Sequence, residues 1–398
     1  MKDFLFMTEA RELLEGNILP FWAERMADNV RGGFFGRMSG DGQLDTEAPR
    51  GAILNARILW SFAAAYRVLG NRGWLEQATR ARDYFLEHFV DKEYGGVYWS
   101  VTANGEPLDT KKQAYAIGFA IYGLSEYARA TGDKTSLETA VSLYHDLECH
   151  AFDPQNGGYH EALTRKWEPL GDMRLSDKDE NCDKTMNTHL HIIEPYTNLF
   201  RVWPSPELRK QIVGLVDVFC NRLLNPHTFH LDLFFDPAWN GRRNIESFGH
   251  DIEASWLLAE TADVLGDTVI SEKLAPVIAS IAHAAEEGIN TDGSMTSERW
   301  KDNGRSTMER EWWVQCECVI GEINMAQRTC GNESNEHFKR ARCCFDYIAK
   351  HLVDKALGEW HWGVSDEGKP NLCHDHAGFW KCPYHNTRMC LEIIERLG

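Results

Sequence analysis

Six short glycine–aromatic segments punctuate this chain at nearly even intervals, and that spacing restricts its fold more than any other feature. They are Gly32-Gly-Phe-Phe-Gly36, Gly95-Gly-Val-Tyr-Trp99, Gly157-Gly-Tyr-His160, Leu231-Asp-Leu-Phe-Phe235, Asp292-Gly-Ser-Met295 and Gly358-Glu-Trp-His-Trp362. Their starts lie 63, 62, 74, 61 and 66 residues apart, and the fourth and fifth are poor copies. Six copies at one period mean a repeat architecture. Gly-Gly ahead of aromatic or β-branched residues suits a tight turn and a short strand.

Two helix-period stretches fall in each interval. One set precedes the glycine segments, at 7–26, 74–90, 135–152, 205–224, 271–289 and 334–353; it is amphipathic and rich in charge, so it has a wet face. Ser205-Pro-Glu and Ser334-Asn-Glu read as helix caps. The second set follows the segments, at 55–69, 112–131, 186–203, 250–265, 312–329 and 386–397. It is richer in Ala, Gly and large apolar residues, as in Ala114-Tyr-Ala-Ile-Gly-Phe-Ala-Ile-Tyr-Gly123, and reads as buried on most sides. Twelve helices in six hairpins, alternately buried and exposed, imply an all-α fold: an inner ring within an outer ring, an (α/α)6 barrel with short β-hairpins in its loops. A chain of 398 residues usually divides into two or three domains. A closed barrel is the exception, and no linker interrupts this chain, so residues 1–398 are expected to form one catalytic domain. The longer loops, near 36–54, 168–186 and 366–385, are where a pocket would be roofed.

Composition narrows the partners. The net charge of −18 with no basic cluster argues against nucleic acid and anionic membranes. The start, MKDFLFMTEARELLEG, is charged almost at once and reads as an amphipathic helix, not a signal peptide. No run approaches the roughly 20 apolar residues needed to span a bilayer. Eleven cysteines, an odd number without paired spacing, suit reduced thiols. The expectation is a cytoplasmic monomer acting on a small molecule. Its 14 tryptophans read more often as core, but such residues also form the stacking platforms of sugar-binding clefts.

The stretch Asn187-Thr-His-Leu-His-Ile-Ile-Glu194 places two histidines, an amide and a carboxylate in eight positions. His-x-His suggests a metal, but residues two apart on a helix point about 200° away from each other. Asn187, His191 and Glu194 share a face; His189 does not. Similar polar positions recur at or just before the start of the other inner helices: Arg57, Tyr115, His250 with Glu253, Glu311-Trp312-Trp313, and His385. Inner helices of such a barrel run parallel, so these starts meet at one mouth, where helix dipoles add positive potential. Alternatives stand beside each reading. His250 can cap its helix, although Glu253 can share its face and fix its tautomer. Arg57 lies in the apolar run Ala56-Arg-Ile-Leu-Trp60 and needs a partner, either a substrate or a Glu. Trp313 and Trp380 read as pocket walls; Trp312, Trp360 and Trp362 serve equally as core. His374-Asp-His376 beside Cys373 is a possible chelate, but no second ligand cluster lies at useful spacing, so no metal is expected. The histidines at 88, 145, 150, 283, 337 and 351 fall on outer helices and read as structural.

Imidazoles with an arginine suit proton transfer near neutral pH. A glycosidase would want two carboxylates across the scissile bond. Two bases on opposite sides of an acidic carbon can invert it, and C2 of an open-chain aldose is such a carbon. No GxGxxG or GxxxxGK[ST] is present, so no nucleotide cofactor is expected.

Asn187-Thr-His-Leu-His191, Gly249-His-Asp-Ile-Glu253, Trp312-Trp-Val-Gln315 and Trp380-Lys-Cys-Pro-Tyr-His385 resemble, over essentially the full length, the motifs of the N-acylglucosamine 2-epimerase superfamily. Within it they are most similar to the cellobiose 2-epimerase branch, for which the Trp380-Lys381 pair is the distinguishing sign. The resemblance implies an (α/α)6 barrel and C2 epimerisation of the reducing-end glucose or mannose of β-1,4 disaccharides through a cis-enediol. His250 and His385 would be the acid–base pair, Glu253 would support His250, and His191 would assist ring opening. Arg57, Tyr115 and Asn187 would hold the sugar, and Trp313 and Trp380 would stack on it. No metal or nucleotide is needed. The alternatives are an N-acylglucosamine epimerase, an aldose–ketose (mannose) isomerase, a glycoside hydrolase of the same architecture and a non-catalytic sugar-binding module.

Overall fold

In each of the six glycine segments an isolated antiparallel bridge closes a tight loop: Ala27 with Phe34, Val90 with Val97, Phe152 with Tyr159, Leu224 with Leu231, Ile289 with Met295 and Val353 with Trp360. The computed structural model describes residues 2–176, 179–241 and 245–398. Two residues before the second partner, every loop passes through positive φ, at Gly32, Gly95, Gly157, Phe229, Gly293 and Gly358. A residue with a Cβ costs roughly 1–2 kcal/mol there, which is why five of the six are glycine. Phe229 takes the strained position in the fourth copy, with φ of 62°. The structural repeat therefore runs through 229 and 293 rather than 231 and 292. Asp28, Asp91, Asp153, Asn225 and Asp354 support five of the turns: a side-chain oxygen of each accepts the backbone N–H groups two and three residues on.

Between these turns run the expected helices. The first rod is α1 (Lys2–Leu13), a π-helical turn at Leu14–Ile18, and α2 (Leu19–Glu24). Five hairpins follow: α3 (Ala52–Leu69) with α4 (Arg72–His88), α5 (Ala114–Thr131) with α6 (Lys134–His150), α7 (Met186–Val202) with α8 (Pro206–Val218), α9 (Phe248–Leu265) with α10 (Thr268–Ala285), and α11 (Trp312–Arg328) with α12 (Gly331–Tyr347). The chain ends in α13 (Tyr384–Leu397). Each of α3, α5, α7, α9 and α11 packs on the next inner helix, and α13 packs on both α11 and α3. The ring is closed. The outer rods each cover one inner helix, with α1 against α13.

Small residues set how closely the inner helices approach. A Cβ on Gly118 of α5 would lie 2.3 Å from the His191 carbonyl oxygen of α7, and one on Gly123 would lie 2.7 Å from the Ala56 oxygen of α3. At the far end, Arg67, Arg201 and Arg328 tie neighbouring inner helices through Glu126, Glu395, Glu260 and Asp263, while Arg129 and Arg396 pair with Glu126 and Glu392 on their own helices. Cations in the last turn of a helix also complement its dipole.

Two strand pairs are hairpins within one loop, Arg37–Met38 with Leu44–Asp45 and Ser100–Val101 with Pro107–Asp109; the others link neighbouring repeats. The strand before each inner helix pairs antiparallel with the next repeat: Arg50–Gly51 with Ser100–Val101, Lys112–Gln113 with Ala162–Leu163, Lys184–Thr185 with Phe234–Phe235, Ile245–Ser247 with Glu298–Trp300, and Arg310–Glu311 with Gly363–Val364. A bridge from Met38 to Ala377 joins the first repeat to the last. Beneath these strands lie buried ion pairs, Arg50–Asp28, Lys112–Asp91, Lys184–Asp153 and Lys381–Glu359. Lys381 thus fills a recurring structural slot.

Candidate active site

A cavity of about 1050 Å³ opens where the inner helices begin. Outer helices α4, α6, α8 and α10 are capped by Asn71, Asp133, Ser205 and Asp267, whereas α3, α5, α9, α11 and α13 have no side-chain cap. Their dipoles bring positive potential to the mouth. All nine sequence-predicted residues line the cavity: Arg57 on α3, Tyr115 on α5, Asn187 and His191 on α7, His250 and Glu253 on α9, Trp313 on α11, His385 on α13 and Trp380 just before it. Arg37, Ser176, Asp179 and His374 contribute from the expected roof loops. Glu298, Trp300 and Thr307 add a wall from the segment before α11, which the sequence reading did not anticipate.

The two histidines of the His-x-His pair part as helix geometry requires. His189 is structural: its Nδ1 lies 2.6 Å from the Thr185 oxygen, and its Nε2 accepts the Tyr159 N–H at 2.9 Å. His191 pairs through Nδ1 with Glu194 at 2.9 Å. Pro195 has no N–H to give the His191 carbonyl, and the helix kinks there, with φ −89° and ψ 17° at His191.

Each of the other two imidazoles also has its Nδ1 occupied. His385 bonds Glu317 at 2.7 Å and His250 bonds the Ser247 hydroxyl at 2.7 Å. That leaves Nε2 of each for chemistry. Trp313 stands against both rings, at 4.7 Å from His250 and 5.8 Å from His385 between centroids. Burial holds all three imidazoles neutral. It drives His250 down to about 3, helped by His191, and holds His191 and His385 well below the ordinary value, helped by the Arg57 and Arg388 charges.

Contrary to expectation, Glu253 does not support His250. Glu253 bonds Arg388 at 2.5 Å, and its other oxygen is 4.0 Å from His191 Nε2. Ser247, at the end of the preceding strand, holds His250 instead, because it reaches Nδ1 first. Arg388 was not foreseen at all. Fully buried, it binds Glu194, Glu253 and Glu317 together, with the Tyr384 hydroxyl on the same nitrogen as Glu194. One guanidinium cannot neutralise three buried carboxylates. Burial, then Glu317, accordingly pushes the Glu253 carboxyl well above its usual range, and burial raises Glu194. Glu317 had a sequence signal: it sits five residues into its helix, as do Arg57, His191 and Glu253 in theirs.

Arg57 is buried, yet among the described residues no carboxylate pairs with it, so of the two expected partners, a substrate or a Glu, the Glu is not there. Its Nη2 donates to Tyr115 at 2.8 Å, and its plane lies over Phe119 at 4.1 Å and Tyr384 at 4.9 Å. Its Nε has no partner, and neither does the Asn187 Oδ1. Burial raises the Tyr115 phenol, so it stays protonated. Trp380 packs near Tyr115 and Trp99 at 6.0 and 6.1 Å. Trp312 and Trp362 also reach the wall, while Trp360 is core.

A cation, neutral imidazoles and indole platforms at the mouth of an (α/α)6 barrel suit the pocket of a carbohydrate-active enzyme. Residues 33–387 match the family model described as N-acylglucosamine 2-epimerase, and the chain belongs to that family. It is 50% identical over 392 residues to the cellobiose 2-epimerase of Bacteroides fragilis, covering 98% of this chain and 99% of that one. Identity to the cellobiose 2-epimerase of Ruminococcus albus is 38%, over 98% of this chain and 99% of that one. The solved cellobiose 2-epimerase of Bacillus thermoamylovorans superposes with a TM-score of 0.93 at 38% identity, covering 98% and 99% of the two chains.

Proposed function

We propose that this protein is a disaccharide 2-epimerase, interconverting glucose and mannose at the reducing end of cellobiose-type β-1,4 disaccharides, mannobiose and lactose included. One observation carries the reading. Two neutral imidazoles, His250 and His385, each held through Nδ1, stand in one cavity against the same tryptophan. In the open-chain sugar, one Nε2 takes the C2 proton and the C2–H electron pair moves into the C1 carbonyl. The enediolate oxygen meets Arg57, whose charge no carboxylate cancels, and the Tyr115 hydroxyl. The second imidazole, drawn to its protonated form by that anion, takes a proton from water at the open mouth and delivers it to the opposite face, while the first imidazolium returns its proton to the same water and both bases end neutral. Glu317 stabilises imidazolium on His385. His191, oriented by Glu194, serves ring opening. Asn187 holds sugar hydroxyls, and Trp313 and Trp380 stack on the rings.

The same reading makes residues 1–398 one catalytic domain, acting as a cytoplasmic monomer with no nucleotide and no catalytic metal. Eleven free cysteines support a reducing compartment. Among the described residues no helix is long and apolar enough to cross a membrane. Incubation with cellobiose in heavy water tests the function. Glucosyl-mannose should form, with deuterium at C2. Free monosaccharides would mean hydrolysis, preferred turnover of N-acetylglucosamine or accumulation of ketose would mean one of the related activities, and unlabelled epimer would remove the exchange step.

A further inference from the structure

The geometry points to a divalent transition-metal site at the seam of the barrel, formed by Asp354, His361 and His376. One ring nitrogen of each histidine and one oxygen of Asp354 lie within 4.8 Å of one another. Two imidazoles and a carboxylate form a donor set that suits zinc and its neighbours, with room for water as a further ligand. Ions of this class bind at about 2.0–2.2 Å, so the donors must draw in by roughly 1 Å. The His361 ring can do so. His361 and Asp354 are 15% and 18% exposed, and their Nε2 and Oδ2 stand 3.9 Å apart, a gap no hydrogen bond spans. The rest of the frame is fixed. Asp354 Oδ1 is engaged by the N–H groups of Ala356 and Leu357, and buried His376 is anchored by Nε2 to the Gly358 carbonyl at 2.8 Å.

Three other clusters hold comparable donors: His283–Glu333–His337 is largely exposed and shares a His337 whose Nδ1 already bonds Glu322 beside Arg340, and each of the other two already contains a guanidinium. Arg388 occupies the Glu253–Glu317–His385 group, and Arg340 the Glu286–Glu322–His337 group. Among the described residues no Lys or Arg pairs with Asp354, and nearby Lys381 is committed to Glu359. The chelate that His374-Asp-His376 suggested is therefore completed by other residues. His374 turns to the cavity wall and stacks on Trp362, while His376 meets ligands from the sixth turn.

The position suggests a structural role. Here the last repeat meets the first: Asn17 donates to the Asp354 carbonyl, His376 N–H donates to the Met38 carbonyl, and Met38 bridges Ala377. An ion would fasten the sixth turn to the loop that carries Trp380 and leads into α13, outside the cavity itself.

Chelator-treated protein titrated with Co²⁺, then with Zn²⁺ in competition, tests the site. One equivalent should bind with the visible d–d absorption of a low-coordinate nitrogen–oxygen site. Zn²⁺ at about 100-fold above its Kd should raise Tm by about 4 °C. His361→Ala should abolish both signals while the rate of sugar turnover stays within twofold of wild type. Asp354→Asn should weaken binding at least tenfold with the turn intact, since Asn225 holds the same position in the fourth repeat. Absence of d–d absorption in the wild type, or equal binding by His361→Ala, overturns the assignment.

Discussion

Replacing Glu317 by Gln asks whether His385 carries positive charge during turnover. The carboxylate accepts from His385 Nδ1 at 2.7 Å, so it costs little while the imidazole is neutral and acts when the C2 proton arrives. A hydrogen bond to a charged group contributes about 1.5–3 kcal/mol against about 1 for a neutral one. The Coulomb attraction between unit charges about 4 Å apart is on the order of 4 kcal/mol at an effective dielectric of about 20. Part of this is offset, because removing one of three carboxylates around Arg388 relieves their repulsion. The net loss in the transition state should be about 2–3 kcal/mol, a fall in kcat of about 30- to 150-fold. KM should change little, since Glu317 acts through His385. Initial rates on cellobiose, read by sugar chromatography, give both constants. Trp256 donates its Nε1–H to Glu317 Oε2 at 3.0 Å, so its fluorescence, with Tm, reports whether the site stays folded. A folded Glu317→Gln enzyme within threefold of wild-type kcat would refute imidazolium formation at His385.

Three more outcomes follow from the same geometry. His250 sits at about 3 in the fold against about 6.5 unfolded. Stability from keeping it neutral is whole above pH 6.5 and is lost as pH falls through about 3, so the acid limb of kcat/KM should lie well below pH 6.5; a limb centred at 6.5 would mean the imidazole is not desolvated. Arg57→Lys retains charge but loses the planar contact with Phe119 and the directed bond to Tyr115, and should lower kcat by about 10- to 100-fold in steady-state assays; an unchanged kcat would remove Arg57 from enediolate stabilisation. Gly118→Ala drives a Cβ to 2.3 Å from the His191 carbonyl, and thermal unfolding should show a loss of about 1–3 kcal/mol with impaired turnover; wild-type stability would show that α5 and α7 can part freely.

The barrel was legible because each repeat carries its own turn chemistry and each inner helix its own apolar run. Where the turn broke the glycine rule, at Phe229, alignment slipped by two residues, since only the backbone reveals that an aromatic residue has taken a left-handed angle. The nine cavity residues were legible because they sit at helix starts, which topology brings together. What lay beneath was not. Glu253 was assigned to His250 on helical spacing, but a neighbour three residues away on a helix competes with everything in the next helix, and Arg388 prevailed. Arg388 itself reads as an ordinary charge in α13, and only closure of the ring places it among Glu194, Glu253 and Glu317.

Exchange from each epimer separately tests the two-base geometry most directly. The C2 hydrogen of cellobiose and that of glucosyl-mannose are followed by proton NMR in heavy water with the wild type, His250→Ala and His385→Ala. Each variant should lose epimerisation by about 10² or more. Each should still exchange the C2 hydrogen of one epimer, and the two variants should act on opposite epimers. If either variant exchanges both hydrogens, or if both act on the same epimer, the imidazoles do not address opposite faces of C2.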